Sequence, residues 1–164
     1  MKKRCNERVQ ASSLLTDNLR IQSMKNLIVT LLAGFFCVQV QAADAWMTDA
    51  SKAFAKAKKE NKLVLLDFTG KDWCAGCKLL RKNVLSSKEF TEYAKGKLIL
   101  VELDFPMDKP AKRVNEELSD KYKVEGFPTV VLTKPDGTAL GQISAYEGED
   151  AKEYIAKLDK IAKR

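Results

Sequence analysis

Apolar and polar positions follow two different rhythms along this chain, and the switches between them mark out its elements. Ala50, Ala53, Phe54 and Ala57 recur at helical spacing with Lys52, Lys56 and Lys59 on other faces, which predicts an amphipathic helix capped by Thr48 and running to about Lys59. Residues 63–68 (LVLLDF) are too continuously apolar for a strand with one wet face, and predict a central strand buried on both sides. Beyond Gly70 the helical rhythm returns, with Leu79, Leu80, Val84 and Leu85 inward and Lys78, Arg81 and Lys82 outward. Residues 86–90 read as a break and a second cap, a short helix follows to about Lys95, and Gly96 stops it. Residues 98–105 (LILVELDF) form the next strand, joined to the first through helices and so expected to be parallel to it.

The second half carries a helix over 112–122, with Val114, Leu118 and Tyr122 inward, then a third strand over 130–132. Lys134-Pro135-Asp136-Gly137 is a hairpin signal, and 138–144 returns as an antiparallel fourth strand. A last helix starts at Gly148-Glu149-Asp150 and points Ala151, Tyr154, Ile155, Leu158 and Ile161 inward. The predicted class is α/β, a mixed four-stranded sheet flanked by helices.

Ahead of this pattern, residues 27–38 (LIVTLLAGFFCV) form an uncharged run after Lys25, and Val40-Gln41-Ala42 supplies small residues for cleavage. These features predict a secretory signal over 24–42, since 12 apolar residues fall short of the roughly 20 that span a bilayer. Residues 1–23 are polar and irregular. They read as an upstream extension or a long n-region, with the working chain starting at Met24 and the folded domain occupying 43–164. Cys5 and Cys37 then leave with the leader, and Cys74 and Cys77 remain in an oxidising compartment, periplasmic or secreted.

Charge and composition narrow the chemistry. The net charge is +7, yet six of the 29 basic residues and two of the 22 acidic ones precede residue 43, leaving 23 and 20 interspersed beyond it. No basic stripe with interleaved aromatics exists, so nucleic acid is not an expected partner. The chain has no histidine, which excludes Ser-His-Asp and Cys-His catalysis and any His-bearing zinc site. Proton transfer falls to carboxylates, lysine, tyrosine and thiols.

Cys74 and Cys77 stand three apart where a helix begins, close enough for a disulfide at about 5.5 Å between Cα atoms. The helix N-terminus favours thiolate on the leading sulfur. Asp67 lies inside the apolar strand just before them, either at a pleat edge facing solvent or as a functional buried carboxylate.

A strand, then Trp73-Cys74-Ala75-Gly76-Cys77 opening a helix, then Gly126-Phe127-Pro128-Thr129 before a β-run and hairpin resembles the thioredoxin superfamily. The similarity runs from about Asp49 to Lys163. With its leader, the chain is most similar to secreted bacterial thioredoxin-like proteins and to the periplasmic C-terminal domain of the transmembrane disulfide reductase. The resemblance implies a cis Pro128 facing the cysteines, Cys74 as nucleophile and Cys77 as resolving thiol, with no cofactor and no metal. Asp67 is the match, by strand position, to the family's buried aspartate. Trp73, Phe127 and Thr129 are the candidate substrate-contacting residues. The implied activity is extracytoplasmic thiol–disulfide exchange that reduces or isomerises protein disulfides, by a monomer that a membrane-bound thiol–disulfide reductant recharges.

Four departures bear on tuning. Ala75-Gly76 replaces the Gly-Pro of ordinary thioredoxins, the helix over 77–85 lacks the family's kinking proline, one extra residue separates Asp67 from Cys74, and Glu102 stands where thioredoxin has a lysine. Two facing carboxylates, Asp67 and Glu102, would raise each other's proton affinity and disfavour negative charge on sulfur, so Glu102 is expected to tune the pair toward a reductant. Two other classes stay open: a Cu(I) carrier using both thiolates, and a binding or chaperone module that uses the Pro128 groove without turnover.

Overall fold

In the computed structural model, which describes residues 46–163, the chain alternates strands and helices in the order the pattern predicts. The expected extension and signal lie outside the described residues. Helix α1 (Ala50–Glu60) is capped by Asp49, not Thr48; the Asp49 carboxylate accepts the Lys52 N–H at 3.1 Å. Aspartate is the stronger cap, and here it stands three residues before the amide it satisfies. Strand β1 (Leu63–Thr69) leads to helix α2 (Ala75–Leu80), which continues as one π turn over Arg81–Leu85. Helix α3 (Lys88–Ala94), strand β2 (Leu98–Asp104) and helix α4 (Arg113–Tyr122) follow. Strands β3 (Thr129–Thr133) and β4 (Ala139–Ser144) form the hairpin, and α5 (Ala151–Ala162) ends the fold.

The sheet order is β2-β1-β3-β4, with β1 and β2 parallel and the other pairings antiparallel. Its central strand β1 is buried from Val64 to Thr69, as a run without polar alternation requires. The outer edge of β2 is partly covered by Met47, whose N–H donates to Leu100 O at 2.9 Å while Glu102 N–H donates to Met47 O at 2.8 Å. Period-two alternation divides the core. Val64, Leu66 and Phe68 pack with Ala50, Ala53, Ala57 and Tyr122, whereas Leu65 packs on the opposite face with Leu80, Val84, Phe90, Tyr154 and Leu158. Asp67 shares the face of Leu65, so it is aimed at α2 and α5.

One inward assignment and one outward assignment change. Leu79 is 50% exposed, while Cys77, Leu80, Val84 and Leu85 are buried. The inner stripe of α2 therefore starts at Cys77, and Arg81, four residues on, belongs to it rather than to the outer face. On α4 the expected Tyr122 is buried and Leu118 packs half-buried against the core, while Asn115 is buried as well, its amide donating to Asp104 O at 3.0 Å; Val114 is half-buried. On α5 the expected face holds: Tyr154 and Leu158 are fully buried, and Ile155 packs half-buried against the same core.

Helix α5 begins with a reciprocal cap, Glu153 N–H donating to Asp150 Oδ1 at 2.9 Å and Asp150 N–H to Glu153 Oε2 at 3.3 Å. Its Tyr154 and Leu158 hold one core layer on the sheet. Asp150→Ala is expected to lower the unfolding free energy by about 1 kcal/mol in a urea titration. The Cys74–Cys77 potential should not move, because the cap touches neither cysteine.

Candidate active site

The turn after β1 is built around Gly70. Its carbonyl accepts the Trp73 and Cys74 N–H groups at 3.2 and 2.8 Å, and Asp104 Oδ1 at the end of β2 holds Lys71 N–H at 3.0 Å. A Cβ on Gly70 would sit 2.4 Å from Trp73 Cε2, so only glycine lets the indole lie on this turn. The indole N–H donates to Phe105 O at 2.7 Å, and the ring stands edge-on to Phe127 at 5.8 Å. Trp73 nonetheless keeps 41% of its surface exposed, beside the cysteines in the chain. Phe127 also packs on Phe105 at 4.9 Å, so its ring is anchored in the core.

Cys74 is the N-cap of α2, and Cys77 N–H donates to Cys74 Sγ at 3.2 Å. The two sulfurs form a disulfide with Cα atoms 5.3 Å apart. In the dithiol form, the same amide and the helix dipole favour charge on the leading sulfur. Exposure separates the pair only slightly, at 7% for Cys74 and 4% for Cys77, so neither is open while they are joined. The Phe127–Pro128 peptide bond is cis. A Cβ on Gly76 would touch Pro128 Cδ at 3.4 Å, which places the proline against the dipeptide between the cysteines. Thr129 is buried, and its hydroxyl donates to Gly126 O at 2.8 Å, so its side chain shapes the turn rather than an open surface.

Beneath the disulfide helix lies a cluster of charges. Asp67 is 2% exposed and opposite Glu102 in the parallel register. Arg81 Nη2 donates to Asp67 Oδ2 at 3.2 Å and also to Glu102 Oε2. Glu102 further meets Lys71 Nζ at 3.6 Å, and the Arg81 guanidinium lies 4.0 Å from the centre of the Trp46 ring. Asp67 and Glu102 do lie side by side in the register, whereas the expectation of an outward Arg81 is corrected: its guanidinium donates to both carboxylates. The signal was available: Arg81 follows Cys77 by one helical turn, on the stripe that holds Leu80 and Val84.

Burial pushes Asp67 up to about 7 from the ordinary 3.8, with Arg81 pulling it down and Glu102 pushing it up. Its Oδ1 has no hydrogen-bond partner among the described residues. A cavity of about 220 Å³ reaches Cys77, Arg81 and Glu102 together, so solvent has a route to this cluster. Among the described residues no group of three or more Cys, Asp or Glu side chains is arranged to hold a metal ion.

The raised affinity fixes the sign of a pH effect. Folded Asp67 binds its proton more tightly than the unfolded chain does, so its contribution to stability is full below about 3.8 and is lost as pH rises through about 7. Asp67→Asn is thus expected to raise the urea midpoint over wild type more at pH 8 than at pH 4. A difference that does not vary with pH would contradict burial as the dominant cause.

The profile of the thioredoxin-like domain matches residues 50–162. A curated relative, the disulfide bond reductase DsbH of Chlamydia pneumoniae, is 32% identical, with 76% of each chain covered. A solved structure of a DsbH oxidoreductase superposes with a TM-score of 0.66 at 32% identity, covering 74% of this chain and 86% of that one. The thiol:disulfide interchange protein DsbD of Pseudomonas fluorescens is 35% identical over 60% of this chain, which spans only 17% of that longer protein. A four-stranded mixed sheet, a cysteine pair capping a helix and these likenesses agree: the chain belongs to the thioredoxin-like family, with Cys74 and Cys77 as its redox pair.

Proposed function

We propose that this protein is an extracytoplasmic thiol–disulfide oxidoreductase that reduces, or reshuffles by reduction, disulfides in other proteins. The observation that carries the reading is the leading sulfur at the N-cap of α2, hydrogen-bonded by Cys77 N–H, with Pro128 against the Gly76 that links the two cysteines. Cys74 thiolate attacks one sulfur of a substrate disulfide, and the substrate's other sulfur leaves as a thiolate that takes up a proton. Cys77 then gives its proton to Asp67 and attacks Cys74. The Cys74–substrate bond breaks, the second substrate thiolate is released, and the substrate has gained two electrons that the Cys74–Cys77 pair has lost.

Surrounding residues support this cycle. Trp73, half in water and fixed by Phe105, gives a rigid apolar surface for a substrate chain, and Phe127 supports it from below. Pro128 lies against Gly76, between the cysteines in the chain, where an extended substrate can pair with the backbone ahead of β3. The reducing direction is supported by the uncharged Ala75-Gly76 link, by Glu102 beside Asp67, and by the name of the DsbH relative. A reductant outside the cytosol needs a source of electrons. The partial likeness to DsbD supports a membrane-bound thiol–disulfide protein in that role, and the apolar run over 27–38 supports export.

Equilibration of the Cys74–Cys77 couple with glutathione is expected to give a potential on the order of −250 mV, near reducing thioredoxins and far from the roughly −120 mV of a strong oxidant. A value near the latter would overturn the reducing direction. Cys77→Ser should accumulate a mixed disulfide with a protein substrate, and Cys74→Ser should abolish exchange. Full turnover in Cys74→Ser would overturn the assignment of the nucleophile.

A further inference from the structure

We infer that Arg81 is a positioning residue for the resolving half of the exchange, held between the Trp46 ring and two carboxylates so that Asp67 can receive the Cys77 proton. This rests on the reading of the pair as a thiol–disulfide site and adds to it a part that neither the cysteines nor Pro128 supply.

The geometry is specific. Arg81 begins one turn beyond Cys77, its backbone N–H donating to Cys77 O and Lys78 O. One guanidinium nitrogen meets Asp67 on β1 and Glu102 on β2, two residues that the parallel register sets side by side. Adjacent carboxylates raise each other's proton affinity, and a cation donating to both reverses that effect. The planar fork of arginine can do this while its face lies on an aromatic ring, which an ammonium group cannot reproduce. Trp46 provides that ring at 4.0 Å. It is placed by the segment whose next residue, Met47, bonds to the edge of β2. The residues ahead of α1 therefore reach the redox site through Arg81.

The other groups around Asp67 leave this role to Arg81. Val130, opposite on β3, is apolar. Tyr154 on α5 has a buried hydroxyl with no partner among the described residues, and burial together with the charge of Asp67 pushes its proton affinity up, so it stays neutral. Lys71 acts only through Glu102, at 3.6 Å and with its side chain 63% exposed, where water screens it. Cys77 shares a cavity with Arg81 and Glu102. Without Arg81, Asp67 keeps its proton through the working range. Cys77 then loses its acceptor, whereas Cys74, served by the helix N-terminus, keeps its own activation.

The test uses the exported chain in its disulfide form, with the Asp67 carboxyl carbon followed by NMR against pH and assigned through Asp67→Asn. Arg81→Met is expected to raise the Asp67 proton affinity about tenfold or more, Arg81→Lys to recover part of the loss, and Glu102→Gln to lower the affinity. Trp46→Leu should move it in the direction of Arg81→Met by a smaller factor. An Asp67 midpoint unchanged in Arg81→Met overturns the proposal. If that variant does not fold, a midpoint unchanged in both Arg81→Lys and Glu102→Gln overturns it equally.

Stopped-flow kinetics at pH 7 then separate the two halves. In Arg81→Met, mixed-disulfide formation should stay within about twofold of wild type while its resolution slows about tenfold. Equal slowing of both, or of neither, overturns the assignment to resolution. A wild-type protein that forms no mixed disulfide would defeat the functional reading instead, and the NMR titration would still decide the Arg81–Asp67 link.

Discussion

A carboxylate in the middle of a central strand has no water to stabilise it, and the way Asp67 is accommodated organises the rest of this site. Moving an ion of that size into a protein interior costs several kcal/mol even after relaxation, and one good ion pair seldom recovers all of it. The fold supplies a partial remedy. Arg81 comes from α2, Glu102 from the adjacent strand, and one Asp67 oxygen is left without a partner among the described residues. An apolar residue at position 67 would serve packing better. On the function proposed above, a half-neutralised carboxylate whose affinity falls near the working pH suits proton transfer, and its partners Arg81 and Glu102 line a cavity that reaches Cys77.

The other parts of the site hang from the same strand. Where β1 ends, Gly70 turns the chain and gathers Trp73 and Cys74 onto its carbonyl, so the first cysteine becomes a helix cap at a fixed place. Strand β3, bonded along the other side of β1, begins just after Pro128 and brings it to Gly76. Strand β2 carries Glu102 and Asp104, one for the buried cluster and one for the turn. Three chain segments distant in sequence thus meet because one buried strand has neighbours on both sides.

This explains what could be read from residues alone. The buried strand, the parallel crossover and the hairpin were legible, since continuous apolar runs and a Pro-Asp-Gly turn admit few other readings. The facing of Asp67 and Glu102 was legible only through the thioredoxin resemblance, which sets Glu102 where that family has a lysine; the register has the two side by side. Arg81 was not legible, because a charged residue on a helix ordinarily faces solvent. The helical stripe through Cys77, Leu80 and Val84 includes position 81 whatever its chemistry, and Leu79 rather than Arg81 points outward. Asn115 escaped for the same reason, a polar residue buried to satisfy the Asp104 carbonyl. Buried polar residues that serve other polar groups leave no mark in a hydrophobic pattern.

Arg81 also changes the argument for which way electrons flow. With two facing carboxylates alone, the region under Cys77 would carry up to two negative charges; with Arg81 between them it carries at most one. An aspartate–lysine pair in the same place, which the thioredoxin resemblance would suggest, carries none. Charge near the sulfurs matters because any group that stabilises thiolate stabilises the reduced form and makes the couple more oxidising. Any residual negative charge then acts in the direction of the proposed reductant, favouring the disulfide by less than the two carboxylates alone would. The leading and resolving sulfurs are tuned by different parts of the fold: a helix cap lowers the cost of charge on Cys74, and the Asp67–Arg81–Glu102 cluster raises it nearer Cys77. In the function proposed above, that separation lets a ready nucleophile and a reducing couple coexist in one short motif.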